Sequence, residues 1–109
     1  MPLFERRTYQ VPVGRMPELV KIYREKAWPA IEAAGLDRYC MGYFITDTGM
    51  LHQLVHLWRF EGDADRRAFW EALFGDKAFM AAAGEIRGIV TSQENQLMRG
   101  APWGPTAKA

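Results

Sequence analysis

Apolar and polar positions alternate most informatively in LHQLVHLWRF, Leu51 to Phe60. A β-strand sends alternate side chains to opposite faces, so Leu51, Gln53, Val55, Leu57 and Arg59 form one set, and His52, Leu54, His56, Trp58 and Phe60 the other. The first set is aliphatic at its centre, as a surface turned to a core should be. The second places an imidazole beside an indole, which suits a lined cavity or a subunit interface. A mixed strand is expected at Leu3–Val11, where Glu5, Arg7 and Tyr9 share one face and Phe4, Arg6 and Thr8 the other. Pro12 and Gly14 end it. From Arg15 to Ala34, apolar residues recur at helical spacing, with Pro17 in the first turn and Gly35 as a stop. Pro29 should kink or divide that helix near Trp28. Arg38–Asp47 reads as a second strand, joined through Thr48 and Gly49 to Leu51–Phe60 as a hairpin. Helices are expected over Ala64–Phe74 and Lys77–Arg87, separated by Gly75 and a capping Asp76. Ile89–Met98 is the fourth strand. Gly100–Ala109, rich in Pro and Gly, is expected to be an extended or disordered tail following a single domain at residues 1–99.

The order strand, helix, strand, strand, helix, strand is that of an α+β ferredoxin-like βαββαβ unit. Its four-stranded antiparallel sheet should carry the helices on one face. The other face would be bare, and pairing two such faces would give a dimeric α+β barrel. If Val55 and Leu57 face the helices, then His56, Trp58, Glu5, Arg7 and Tyr9 face the barrel, with Tyr43 beside them and Phe4 and Thr8 on the helix side. For strand 4 the alternation leaves two sets open, Gln93 with Asn95 or Ser92 with Glu94 and Gln96.

Charge narrows the partners. Fourteen basic and thirteen acidic residues leave a net charge of +1, which gives no reason to expect nucleic acid or an anionic membrane. No stretch approaches the length of a membrane helix, and MPLFERRTYQ resembles neither a signal peptide nor an anchor. One cysteine, Cys40, fits a reducing compartment, so a cytoplasmic location is expected. Cys40 reads as packing. His52 and His56 stand four residues apart on one strand, about 13 Å, too far to share a metal. No metal and no cofactor is therefore implied. The run Asp63, Asp65, Arg66, Arg67 reads as a solvated helix start.

Three segments resemble the NIPSNAP family of the dimeric α+β barrel superfamily: FERRTYQVPVG at Phe4–Gly14, GYFITDTGMLHQLVHLW at Gly42–Trp58 and SQENQLMRGAPW at Ser92–Trp103. They come in the family's order and cover nearly the whole chain. Arg6 stands where an aliphatic residue is usual, and Gly100 where Pro is common. The resemblance implies a ferredoxin-like protomer and a homodimer, or a larger assembly. It implies no shared reaction.

Two functional readings follow. In the first, the barrel holds a small organic molecule, with cofactor-free oxygenation or isomerisation as the chemistry. His56 would act as base and Arg7 would stabilise an anion. Glu5, Tyr9, Tyr43, Trp58, Phe60 and Asn95 would bind the substrate. In the second, the same residues form an internally satisfied polar network, and the chain is a non-catalytic interaction or assembly module whose Trp103 tail clips onto a neighbour.

Overall fold

A computed structural model describes residues 1–107. Its elements are β1 (Leu3–Gln10), α1 (Met16–Ile22), a π turn (Tyr23–Ala27), α2 (Trp28–Ala33), a 3-10 turn (Asp37–Tyr39), β2 (Cys40–Ile45), β3 (Gln53–Phe60), α3 (Asp63–Phe74), α4 (Lys77–Arg87) and β4 (Ser92–Arg99). The antiparallel sheet has the order β2-β3-β1-β4. This is the expected ferredoxin-like α+β fold, with β1 and β3 central and the helices on one face. The slab is 18 Å through its thinnest axis, as one sheet layer and one helix layer require.

The first helix is divided as Pro29 demands. Proline has no N–H to donate, and its ring crowds the carbonyl four residues back. The chain answers with a π turn just before it, closed by the Trp28 N–H donating to the Tyr23 carbonyl. Asp76 caps α4 as expected, its Oδ1 accepting from the Phe79 N–H at 2.8 Å. The tail is less extended than its composition suggests. It bends back so closely that a side chain at Gly100 would meet the Thr106 carbonyl at 2.6 Å, and Trp103 is left 74% exposed. Lys108 and Ala109 of that tail lie outside the described residues.

One expectation is overturned. Along β3 it is Leu54, His56, Trp58 and Phe60 that are buried, while Val55, Leu57 and Arg59 are only half-buried. Trp58 and Phe60 pack with Phe69, Trp70 and Leu73 of α3, and Leu54 packs with Leu19, Ile22 and Ile86. The His56 and Trp58 face therefore looks at the helices, and the Val55 and Leu57 face is the bare one. Phe4 and Thr8 lie on the bare side as well, opposite Arg59 and Val55. The physical reason is volume. A sheet of this size gains more by putting indole and phenyl rings under a helix layer than by putting valine and leucine there, since rings bury the largest areas.

The core has two parts. One gathers Tyr9, Val11, Leu19, Ile22, Leu54 and Ile86, and the other Ile31, Trp58, Phe60, Phe69, Trp70 and Leu73. Between them a row of paired residues crosses the sheet: Tyr43, His56, Arg7 and Asn95.

Candidate functional site

That row exists because of a bulge. Cys40 pairs with Trp58, but Gly42 pairs with Leu57, so Met41 is the extra residue. The shift by one brings Tyr43, rather than Gly42, opposite His56. The two rings stack at 4.8 Å with 12° between their planes. Gly42 tolerates the φ of 159° there, and a side chain on it would meet the Phe44 ring at 2.9 Å.

His56 is 2% exposed. The edge of its ring meets Tyr9 at 4.9 Å. Its Nδ1 accepts a hydrogen bond from the Trp58 indole N–H at 2.6 Å. An indole nitrogen only donates, so Nδ1 must carry a lone pair and the proton of the neutral ring sits on Nε2. Nε2 is buried and has no hydrogen-bond partner among the described residues. A buried donor left unpaired costs about 1–3 kcal/mol. Burial, and then the charge of Arg7, push the pKa of His56 down to about 3, so the ring is neutral throughout the physiological range.

Arg7 is held from behind. Glu5, fully buried, accepts at Oε2 from Arg7 Nε at 2.7 Å. Its Oε1 accepts from Arg66 Nε at 2.6 Å and from Trp70 Nε1 at 2.9 Å. Burial raises the pKa of Glu5. The hydrogen bonds from Arg7 and Trp70, the charge of Arg7 and the bond from Arg66 together outweigh it, and the carboxyl is held below its usual range. The Arg7 guanidinium lies 3.7 Å above the Trp70 ring. Only its Nε is spent on Glu5, so its two terminal amino groups remain for another acceptor.

These groups line a cavity of about 510 Å³ between sheet and helices. Arg7, Tyr9, Tyr43, His56 and Trp58 form its sheet side, and Trp70, Leu73, Phe79, Ala83 and Ile86 its α3 and α4 side. The exposed lining residues Phe74, Arg87, Thr91 and Gln93 mark a mouth between those helices and the β4 edge. Tyr23 reaches in from the π turn. Burial pushes the phenols of Tyr23 and Tyr43 well above their ordinary value, and nearby phenols (Tyr9 for Tyr23, Tyr23 for Tyr43) push the same way, so both stay protonated.

Of the residues singled out from sequence, Arg7, Tyr9, Tyr43, His56 and Trp58 come together. Glu5 stands behind Arg7 rather than in the lining. Phe60 is packed away against Phe69 and Tyr39. Asn95 lies opposite Arg7, so Gln93 and Asn95 share the helix-side face and Ser92, Glu94 and Gln96 the bare one; Asn95 is exposed and its Oδ1 accepts from Gln93 Nε2 at 2.9 Å. Tyr23, Trp70 and Phe79 went unrecognised because on a helix they read as ordinary core. Arg66, which the charge pattern places on a solvated helix start, instead reaches back to Glu5; the signal available is an acidic residue on β1 with a single basic neighbour, Arg7, on its own face. Burial raises the pKa of Cys40, which accords with packing. Among the described residues no group of three His, Cys, Asp or Glu side chains could hold a metal ion, and no helix is long and apolar enough to cross a membrane.

Comparison with known proteins places this geometry. No curated protein matches the chain. The crystal structure of a NIPSNAP family protein from Agrobacterium tumefaciens is similar at 27% identity and a TM-score of 0.87, covering 96% of this chain and 98% of that one. An uncharacterized NIPSNAP domain protein from Burkholderia xenovorans is similar at 28% identity and a TM-score of 0.82, with 94% and 98% covered. An antibiotic biosynthesis monooxygenase shares the fold alone, at 15% identity and a TM-score of 0.63, with 92% and 99% covered. The NIPSNAP family model matches residues 4–105. Sequence, fold and relatives agree, and the chain belongs to the NIPSNAP family.

Proposed function

We propose that this chain is a small-molecule-binding protein whose site is the cavity between its own sheet and helices, within one protomer rather than between two. The observation that carries the reading is a 510 Å³ cavity lined by Arg7, whose terminal amino groups are unspent, and by His56, whose Nε2 is buried and unpartnered. A space of that size suits a small organic ligand, and its mostly apolar wall with a few convergent polar groups is the usual character of such sites. Binding is better supported than acid–base catalysis. The proton on Nε2 and the bond at Nδ1 leave His56 no free lone pair, and the protonated Tyr23 and Tyr43 are no bases either. Oxygenation or isomerisation with His56 as base would require the imidazole to turn over and abandon Trp58. Arg7 keeps its suggested role as the anion-stabilising group.

The homodimer belongs to the same proposal, on a changed basis. The bare face carries half-exposed Phe44 and half-buried Val55 and Leu57, with Arg6, Arg59 and Glu94 around them, and a second copy would cover them. Native mass spectrometry tests both parts. A retained or added small organic molecule should bind wild type and be excluded by Ala83→Trp, which fills the cavity. Equal binding by the filled variant would refute the site, and a monomer at micromolar concentration would refute the pairing.

A further inference from the structure

We infer that the cavity selects a flat organic monoanion, such as an aromatic or conjugated carboxylate, enolate or phenolate, whose oxygens bridge the Arg7 guanidinium and the Nε2–H of His56. The inference rests on the binding reading above and adds the ligand's charge and shape.

Charge is decided by the lining. None of the residues around the cavity is acidic, and two, Arg7 and Arg87, are arginines. Behind them the buried cluster sets one carboxylate, Glu5, against two guanidiniums, Arg7 and Arg66. Glu5 is already shared three ways, so it cannot absorb the hydrogen-bonding capacity of Arg7 as well. A guanidinium held between Trp70 and a shared carboxylate, with its terminal amino groups unspent, calls for a second anion.

The same conclusion comes independently from His56. Its bond from Trp58 fixes Nε2 as a donor, so the group it lacks is an acceptor. Arg7 and His56 are directly paired across β1 and β3, and Nε2 is closed to water in this structure, so one head group meets both when a lining side chain shifts to admit it. An ammonium ligand would find two donors and a cation there, and a neutral alcohol would satisfy one donor and leave the charge unmet.

Shape is decided by the rings. Tyr9, Tyr43, Trp58, Trp70 and Phe79 bring five rings to the lining, from both the sheet and the helix side. A lining so rich in rings favours a planar guest, which can pack against their edges and faces.

Calorimetric titration with three probes of one shape tests the inference: 2-naphthoate, 2-naphthalenemethanol and 2-naphthylmethylammonium. Naphthoate should bind tightest, by roughly tenfold to a hundredfold over the alcohol, as a charge-assisted pair would give. Arg7→Gln should remove that preference while keeping the alcohol's affinity, and His56→Phe should weaken naphthoate more than the alcohol. Alcohol or ammonium binding as tightly as naphthoate, with Ala83→Trp still blocking it, would overturn the anion inference and leave the cavity reading standing. Failure of all three probes would overturn both. Long-range proton–nitrogen NMR on the unmodified protein gives a check that needs no variant. The His56 proton is expected on Nε2, and finding it on Nδ1 would remove the donor on which the inference depends.

Discussion

The two faces of the sheet are built from the same four strands, yet they do opposite things. The helix-side face carries Glu5, Tyr9, His56 and Trp58, all buried, with half-buried Arg7 and Tyr43 between them, which combine charge and rings under cover. The bare face carries Phe4, Arg6, Thr8, Phe44, Val55 and Leu57, of which Phe4 alone is buried and the rest are partly or well exposed. The difference teaches that aliphatic residues do not mark the core side of a small sheet. Valine and isoleucine fit a half-exposed pleated surface well. Large rings and a buried ion cluster need a second layer to close over them, and the helices supply it for all of these; Phe4 is the one ring buried on the other side.

The sharpest way to break this contrast is to attack Glu5. Replacing it with Gln removes the carboxylate that Arg7, Arg66 and Trp70 share, leaving buried charge without its counterion. The expected loss is about 3–5 kcal/mol in chemical denaturation, whereas Arg6→Gln, one position away on the other face, should stay within about 0.5 kcal/mol. Equal effects at the two positions would mean that the cluster is not buried as described. Trp58→Ala is expected to cost a similar 3–5 kcal/mol, because it leaves a large void under α3.

Much of this arrangement was legible in the sequence, and its limits are instructive. Period two correctly sorted His56 with Trp58 and Glu5 with Arg7 and Tyr9, and helix spacing together with Pro29 and Asp76 located the four α-helices, though the strand expected from Arg38 opens instead with a 3-10 turn at Asp37–Tyr39. What alternation cannot supply is the sign of a face, because slipping from one side to the other leaves the pattern unchanged. Side was instead assigned from the aliphatic character of Val55 and Leu57, and volume overrode it. The site was incomplete for a related reason. Tyr23, Trp70 and Arg66 come from helices whose contact with the sheet depends on packing rather than on any local motif. Tyr43 reached His56 only through a bulge at Met41, which no simple strand reading shows.

A pH series sharpens the comparison with a smaller effect. The folded His56 has a pKa of about 3 against an ordinary 6.5, so between these values the unfolded chain takes up a proton that the folded chain refuses. Its contribution is therefore complete above pH 6.5 and is lost on acidification, at up to about 1.4 kcal/mol per pH unit. The lowered pKa of Glu5 acts with the same sign, but only once the pH nears the ordinary carboxylate value of 4.5. Denaturation midpoints measured from pH 7 to pH 5 thus isolate the histidine. Wild type should weaken across that window and His56→Phe should do so distinctly less. Parallel slopes would mean that His56 is already charged or solvent-accessible in the fold.

The smallest effect is expected on the bare face, and its size depends on concentration. Leu57 is half-buried in the protomer and points away from both core clusters. Leu57→Ser should therefore change the stability of an isolated protomer by only about 0.5–1 kcal/mol, a little more than a fully exposed substitution because Leu57 is half-buried. If two such faces meet, the same change places a hydroxyl opposite a second sheet and opposes association. The variant's deficit relative to wild type would then widen as protein concentration rises into the range where wild type is dimeric. Unfolding followed over a hundredfold dilution separates these cases. A wild-type midpoint that climbs with concentration, and a Leu57→Ser midpoint that climbs less, would give the bare face its occupant. Two flat and nearly coincident lines would leave it as solvent-facing surface, and would show that the cavity is complete within a single chain.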